Sequence, residues 1–138
     1  MPSMKCDIVS MHRTVYSGEV SLVVVPGGAG ELGIAPQHAP LMATLNPGPV
    51  RVVETSGEET TFLVGGGLVE VMPHLVTILV DSAARAADFD EAEAKRARDQ
   101  ARRTLEARSG EMEIAEAQIM LKDTIEQLQA LERWRKRV

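Results

Sequence analysis

The sequence lacks several features that would assign it to large functional classes. None of its 138 residues fall in an apolar run of eighteen, so no segment is predicted to span a membrane. A single cysteine, Cys6, excludes an intrachain disulfide, and its alternation with Lys5 and Asp7 is typical of a small buried residue. Aromatic residues make up only 3% of the chain, so we expect a core built mostly from aliphatic side chains.

Neither half of the chain carries an excess of basic residues. Residues 1–88 contain four Lys or Arg against nine Asp or Glu, a net charge of −5, whereas residues 89–138 contain eleven of each. Nucleic-acid-binding domains concentrate positive charge on one face or along one helix. Nucleic acid is therefore not an expected partner.

No group of residues forms a recognisable catalytic or metal-binding pattern. The three histidines, His12, His38 and His74, are isolated from one another and from the cysteine, which does not favour a metal site. None of the serines lies in the context of a nucleophile elbow. The sequence therefore predicts a protein without catalytic activity of its own and without a metal or other cofactor.

The glycine-rich stretch after Val25 matches a nucleotide-binding pattern by letters only. Gly28 to Gly33 reads G-x-G-x-x-G, which in a dinucleotide site must be followed by a helix. Pro36 and Pro40 forbid that helix, because each lacks a donor and clashes with the preceding turn. We therefore interpret the glycines as a cluster of β-turns and bulges. An enzymatic function has no other support in the sequence than this failed match.

Short alternating or apolar segments separated by turn residues continue to Val80. This pattern is typical of a β-sandwich or barrel, and we expect a sandwich of about ten short strands. Ser17-Gly18 is interpreted as a turn between two of them. The segments that can be placed are Met4–Val9, Thr14–Tyr16, Val20–Val25, Leu41–Leu45, Val50–Glu54, Thr60–Val64, Leu68–Val71 and Leu75–Val80.

The composition changes after Asp81, where glycine is absent until Gly110 and proline does not recur. Asp88 is a candidate N-cap for a helix from about Phe89 to Arg108, with Ser109-Gly110 as the loop. A second helix is predicted from about Met112 to Lys136. The chain is thus predicted to be mainly β plus α, with a sandwich over residues 1–88 and an antiparallel two-helix hairpin over residues 89–138.

The two predicted helices differ in their apolar faces. The first presents mainly alanine (Ala94, Ala97, Ala101, Leu105), whereas the second presents a fuller stripe (Ile114, Ala117, Leu121, Ile125, Leu128, Leu131). A buried methyl group contributes about 0.8 kcal/mol and a buried leucine about 1.5–3 kcal/mol. We therefore expect the hairpin to be held weakly and to be able to detach from the sandwich.

Basic residues surround the only tryptophan at the end of the second helix. The cluster comprises Arg133, Trp134, Arg135, Lys136 and Arg137. Basic side chains in a last turn complement the helix dipole. The alternative is that they meet an acidic partner, with Trp134 as the anchor.

Beyond these patterns, the run from Gly30 to Leu41, G-E-L-G-I-A-P-Q-H-A-P-L, closely resembles the signature of the epsilon subunit of F-type, proton-translocating ATP synthases. The resemblance continues through Leu45–Gly48, Gly65–Val71 and Val76–Asp81, and into a helical tail of the expected length. It covers nearly the whole chain and is specific.

The resemblance implies a function and a set of partners. The sandwich would contact the gamma subunit and the rotor ring of c subunits through Glu31, Pro36, His38 and Pro40. The hairpin would fold against the sandwich or extend towards the alpha and beta subunits, where the C-terminal basic cluster would inhibit ATP hydrolysis. The protein would be a peripheral subunit on the cytoplasmic face of a bacterial inner membrane, coupling proton-driven rotation to ATP synthesis.

Many bacterial members of this family bind ATP through a motif of the form [IL]-D-x-x-R-A. Here Asp90 and Ala94 match it, whereas Phe89 and Glu93 replace the first residue and the arginine. A carboxylate repels phosphate, so we expect weak ATP binding. An alternative from another class is a free-standing coiled-coil adaptor or small-ligand-binding module, which would not co-purify with gamma and the catalytic head.

Overall fold

The computed structural model describes residues 2–107 and 113–136, in which nine strands are followed by two helices. The strands are β1 Met4–Ser10, β2 Thr14–Gly27, β3 Gly30–Ile34, β4 Leu41–Leu45, β5 Gly48–Glu54, β6 Glu59–Val64, β7 Gly67–Met72, β8 Leu75–Val80 and β9 Ala83–Arg85. A short 3-10 turn, Ala86–Asp88, leads to the helices α1 Glu91–Ala107 and α2 Ile114–Lys136.

The nine strands form a hydrogen-bonded sandwich whose halves share β2. In one half, β1 pairs in parallel with β8, which continues through β7 to β4. In the other half, β2 pairs with β5, followed by β6 and β9, while β3 adds to β2. The predicted architecture of a sandwich followed by two helices is confirmed.

The prediction of two strands separated at Ser17-Gly18 was wrong, because β2 runs unbroken for 14 residues. Ser17 pairs with Asp7 of β1, and its hydroxyl donates to the Asp7 carboxylate over 2.7 Å. Gly18 pairs with Cys6 in the same ladder. Ser17 and Gly18 favour a turn by their local preferences, but pairing with β1 holds them in an extended conformation.

Two strands were not predicted. The glycine segment interpreted as turns and bulges contains β3, which pairs Gly30–Ile34 with Gly27–Val23 of β2. Gly30 starts it with a φ of 138°, which is strained for any residue with a side chain. The other is β9, whose sequence Ala-Ala-Arg has no strand pattern and is ordered by its pairing with β6.

The core lies between the sheet faces and is mainly aliphatic, as the scarcity of aromatic residues predicts. Cys6 is fully buried in it, and burial, with a smaller contribution from Asp7, raises the pKa of its thiol to about 12. The buried residues alternate along the strands, with Phe62 the largest of them. The other members include Ile8, Val20, Val23, Val25, Ile34, Val50, Val52, Val69, Val71 and Ile78.

Helix α1 begins later than predicted, and Asp88 is not its N-cap. Asp88 ends the 3-10 turn, whereas the Asp90 carboxylate accepts a hydrogen bond from the Glu93 N–H over 3.0 Å. Asp90 therefore caps the helix, and Glu91 and Glu93 favour its positive end. The predicted loop Ser109-Gly110 and the helix ends Arg108 and Met112 lie outside the described residues.

The sandwich is contacted mainly by α2. Helix α2 lies against β5 and β6, and α1 packs mainly on α2, where Ala101 and Thr104 are buried. Arg135 near the end of α2 contacts Glu91 at the start of α1, so the helices are antiparallel. The alanine seam of the first helix therefore faces the second helix.

Candidate functional site

The loop 35–40 is held rigidly at one edge of the sandwich. Gln37 has a positive φ of 66°, and its N–H donates to the Pro73 carbonyl in the β7–β8 turn over 2.8 Å. The His38 Nδ1–H donates to the carbonyl of Ala39 over 2.7 Å. Pro36 and Pro40 further restrict the backbone. The loop can therefore present a fixed shape to a partner.

Glu31 does not lie in this loop. It is an exposed residue of β3, paired with Pro26 of β2, and β3 continues from it to the buried Ile34. Three residues of extended chain span about 10 Å. The structure thus brings Pro36, His38 and Pro40 together and places Glu31 beside the turn between β2 and β3.

The outer face of the β4, β7 and β8 half exposes several large apolar side chains. Met42, Met72 and Leu79 are 59%, 44% and 45% exposed. Leu79 pairs with Leu68 and with Val9, which forms an apolar row across three strands. A groove of about 490 Å³ continues this surface to the loop and is lined by Pro40, Leu41, Met42, Glu70, Val71 and Met72. We name the exposed surface of Met42, Met72, Leu79 and Leu68 the apolar face. Such a face fits a protein partner.

Helix α2 is attached to the sandwich by a small apolar contact. Its Ala130 and Leu131 are buried with Leu63 of β6 and Ala86, and the half-buried Phe89 and Trp134 pack around them. We name these six residues the docking contact. The sequence predicted Leu131 as part of an apolar stripe, but Ile114, also in that stripe, is 43% exposed.

Two residues of the C-terminal basic cluster, Arg135 and Lys136, form ion pairs within the chain. The Arg135 guanidinium donates to both carboxylate oxygens of Glu91, over 3.1 and 2.6 Å. This contact, followed by one with Lys95, lowers the pKa of the Glu91 carboxyl. Lys136 pairs with Glu132 over 3.4 Å. Arg137 lies outside the described residues.

Trp134 and Arg133 also face the sandwich in this conformation. Trp134 belongs to the docking contact, so it is not a fully exposed surface residue. Arg133 and Lys136 line a groove of about 350 Å³ against the β2–β3 turn, with Pro26, Gly27, Gly28, Gly30, Glu31, Asn46 and Pro49. In the docked conformation Trp134 is therefore covered in part, whereas Arg133, Arg135 and Lys136 stay exposed to solvent.

The segment that resembles an ATP-binding motif is occupied by a helix cap. The Asp90 carboxylate binds the Glu93 N–H, and Ala94 donates its N–H to the Asp90 carbonyl. The neighbouring groove between the helices holds two carboxylates, Glu91 and Glu132, beside its basic residues. Two of these basic residues, Lys95 and Arg135, are already paired with Glu91.

A second attachment of α2, which the sequence did not reveal, lies where β6 turns into β7. The Glu126 carboxylate accepts a hydrogen bond from the Gly66 N–H over 3.1 Å, and the Lys122 ammonium pairs with Asp81 over 3.2 Å. We name Gly65–Gly67 the glycine corner. A side chain at Gly67 would clash with the Leu79 carbonyl. No local signal could have identified Glu126, because its partner is 60 residues away in the chain.

In the described residues, neither helix is long and apolar enough to cross a membrane.

Comparison with known proteins gives a consistent result. Residues 3–86 match the family described as "ATP synthase, Delta/Epsilon chain, beta-sandwich domain". The chain is 50% identical over 136 residues to an ATP synthase epsilon chain of Stenotrophomonas maltophilia (strain K279a), covering 99% of this chain and 97% of that one. It is 48% identical, with the same coverage, to an ATP synthase epsilon chain of Xanthomonas euvesicatoria pv. vesicatoria (strain 85-10).

Solved structures share the fold at low sequence identity. A chain in the mitochondrial ATP synthase of Euglena gracilis, solved with OSCP, F1 and c-ring, superposes with a TM-score of 0.65 at 19% identity, covering 95% of this chain and 82% of that one. A chain in the central stalk and c-ring of the Tetrahymena thermophila mitochondrial enzyme gives a TM-score of 0.54 at 17% identity, covering 97% and 95%.

Proposed function

Since the chain belongs to the ATP synthase epsilon-chain family, whose members are subunits of the central stalk and not enzymes in themselves, we propose that it couples proton-driven rotation to ATP synthesis and restrains ATP hydrolysis. Residues 1–88 form the coupling unit and residues 89–138 the regulatory unit. The protein attaches peripherally to the cytoplasmic face of a bacterial inner membrane through its partners. Those partners are the gamma subunit, the ring of c subunits and, for the hairpin, the alpha and beta subunits.

Two surfaces of the sandwich support the coupling role. The apolar face offers a partner a hydrophobic area next to the rigid loop of Pro36, His38 and Pro40. Glu31 offers a separate, charged contact beside the β2–β3 turn. We assign both surfaces to contacts with gamma and the rotor ring, because a subunit that transmits rotation must hold two neighbours at once.

The coupling role is tested by the double variant Glu31→Ala, His38→Ala. ATP-driven proton pumping by membranes should fall, while the circular dichroism of the isolated chain stays native, because Glu31 is exposed and the His38 ring, within residues 2–107 and 113–136, bonds to the adjacent Ala39 carbonyl. Glu58→Ala, in the exposed β5–β6 turn, is the matched control. Native pumping in the double variant would place the contact elsewhere.

The small size of the docking contact carries the regulatory role. Leu131 contributes about 1.5–3 kcal/mol by burial, and the two aromatic residues around it are only half-buried. Shifting a two-state equilibrium from 1:99 to 99:1 takes about 5.5 kcal/mol of differential binding. Contacts with gamma and the catalytic subunits can supply that amount, so partners can move the hairpin from a docked to an extended position.

The dimensions and charges of the helices suit an extended inhibitory position. Helices of 17 and 23 residues are about 25 and 34 Å long. Once α2 is undocked, Trp134 and the basic residues Arg133, Arg135 and Lys136 are free to meet an acidic surface of the alpha and beta subunits. Arg137 is assigned to the same contact from the sequence alone.

The decisive experiment is truncation after Asp88. The complex should still assemble, because the strands of the sandwich all precede this point, and its ATP hydrolysis should rise. Reversal of Arg135, Lys136 and Arg137 to glutamate should raise hydrolysis partly, and more at low salt. Unchanged hydrolysis after truncation, at every nucleotide and salt concentration tried, would refute the regulatory role.

A further inference from the structure

We propose that Glu126 is a proton-operated latch: a proton on its carboxyl group fastens α2 to the glycine corner, and loss of that proton releases the helix. The latch is a property of the isolated chain. Its consequence for ATP hydrolysis rests on the proposed function, because release of the hairpin leads to inhibition only if the extended hairpin is inhibitory.

The position of Glu126 is the first support. It lies on α2 and reaches across to the sandwich, where its Oε2 accepts the hydrogen bond from Gly66. Its Oε1 is closed off from solvent and has no hydrogen-bond donor among residues 2–107 and 113–136. The Ser82 hydroxyl is buried nearby and, within the same residues, also has no partner. When the carboxylate is ionised, one of its two oxygens, Oε1, therefore has neither solvent nor a donor to satisfy it.

The charges that face Glu126 are the second support. From the sandwich it faces Asp81, whose negative charge acts on it. Two ionised carboxylates cannot bond to each other, whereas a protonated Glu126 can donate to Asp81. On α2 itself the neighbours are Lys122, which pairs with Asp81, and Asp123, which His12 faces from the β1–β2 turn. The single ammonium group of Lys122 thus has three carboxyl groups around it, those of Asp81, Asp123 and Glu126.

The physical effects on Glu126 act in one direction overall. Burial is the largest and raises the pKa of its carboxyl, the Gly66 N–H lowers it, the Asp81 charge raises it further, and the Lys122 charge lowers it, with a net rise. Burial and Asp81 also raise the pKa of Asp123. In the released helix both groups regain solvent and their ordinary values. Docking therefore takes up protons.

The direction of the pH effect follows from this linkage. A group whose pKa is higher in the docked state favours docking fully below its ordinary value, which for Glu126 is 4.5. That contribution is lost as the pH rises from 4.5 through the docked value. For a single proton, the docking constant falls at most about tenfold per pH unit within this window. Docking is therefore stronger at pH 4.5 than at a pH above the docked pKa.

Trp134 provides a direct measurement, because it is the only tryptophan and belongs to the docking contact. Acrylamide quenching of its fluorescence in the purified full-length chain should increase as the pH rises from 4.5 to 8. In Glu126→Gln, which keeps the hydrogen bond to Gly66 without a charge, quenching at pH 8 should stay below that of the native chain, and only the contribution of Asp123 should still vary with pH. Should that variant fold poorly, Asp81→Asn should move the transition of the native chain to lower pH.

Two carboxylates of the hairpin serve as controls. Glu132→Gln removes an exposed charge on the same helix, and Glu91→Gln removes one whose pKa is lowered and which therefore acts below its ordinary value of 4.5. Both should keep the native profile between pH 4.5 and 8. A native chain whose quenching does not change with pH, or a Glu126→Gln chain with the native profile, would overturn the latch.

The complex tests the proposed function separately. Glu126→Gln holds the hairpin docked, so it should raise ATP hydrolysis by the assembled enzyme at pH 8. If the latch works in the isolated chain while hydrolysis is unchanged, the inhibitory role of the hairpin fails and the latch stands.

Discussion

The sandwich and the hairpin are stabilised by different kinds of contact. In the sandwich, alternating aliphatic residues from both sheet faces fill a continuous core around Phe62. The hairpin adds the docking contact and a few polar bonds, and among the described residues its main contacts with the strands come from α2. Apolar burial in the core determines the free energy of unfolding of the sandwich, whereas apolar burial in the docking contact determines the free energy of docking. One short chain can therefore combine a stable part with a part that moves.

The strongest test of this difference is Phe62→Ala. Removing a fully buried phenylalanine should lower the free energy of unfolding by about 3–5 kcal/mol. Urea unfolding followed by circular dichroism at the β-sheet signal measures it. Met11→Ala, at 86% exposure, is the control and should change the value by less than about 0.5 kcal/mol. A small loss in Phe62→Ala would show that the sandwich core is not the stable part.

Leu131→Ala should separate the two parts. It removes the buried leucine that α2 contributes to the docking contact, so docking should weaken by about 2–3 kcal/mol, while the urea midpoint of the β-sheet signal stays unchanged. The emission maximum of Trp134 should shift to longer wavelength. Ile119→Ala, on the same helix at 61% exposure, is the matched control. A parallel loss of β-sheet stability would mean that the hairpin and sandwich unfold as one unit.

Alkaline pH should weaken the sandwich specifically. The thiol of Cys6 has a pKa raised from 9.0 to about 12, so the folded chain keeps a proton that the unfolded chain loses. Its contribution to stability is complete below pH 9 and is lost as the pH rises from 9 to 12. Cys6→Ala should flatten part of this decline in urea unfolding measured against pH. The partly buried Tyr16, with a pKa raised to about 12 by burial and by Glu54, accounts for a further part above pH 10.

The smallest expected effect concerns the ion pair between the helices. Arg135→Gln removes the bidentate bond to Glu91, which is exposed to solvent and screened by salt. The emission of Trp134 should change slightly at low salt and not at high salt. Arg103→Gln, in the exposed face of α1, is the control. A change that persists at high salt would show that this pair is a main support of the hairpin.

Much of the fold followed from local pattern. Strand segments such as Leu41–Leu45 and Leu75–Val80 lie where alternation and turn residues predicted them. The errors occurred where tertiary pairing overrides local preference, as at Ser17-Gly18 within β2 and Ala83–Arg85 in β9. Asp88 and Asp90 are equally good caps by type, and only the hydrogen bond to Glu93 distinguishes them.

Less of the candidate site could be predicted. Glu31, Pro36, His38 and Pro40 form one stretch of sequence, but a strand separates Glu31 from the others. Glu126 and Asp81 each resemble ordinary solvated carboxylates, because nothing in a sequence brings residues 45 positions apart together. The roles of the sandwich residues and of the C-terminal basic cluster stay predictions.

The pairing of β1 also determines the order in which its two edges can find their partners during synthesis. Lys5 finds one neighbour early, at Glu19, but its parallel neighbour Leu75 leaves the ribosome 70 residues later. At about 5–20 residues per second, the outer edge of the first strand waits roughly 4–14 s for its partner. An unpaired edge of this kind is a template for another nascent chain. The time at which this protein is most exposed to aggregation is therefore set by the distance between its first strand and its eighth.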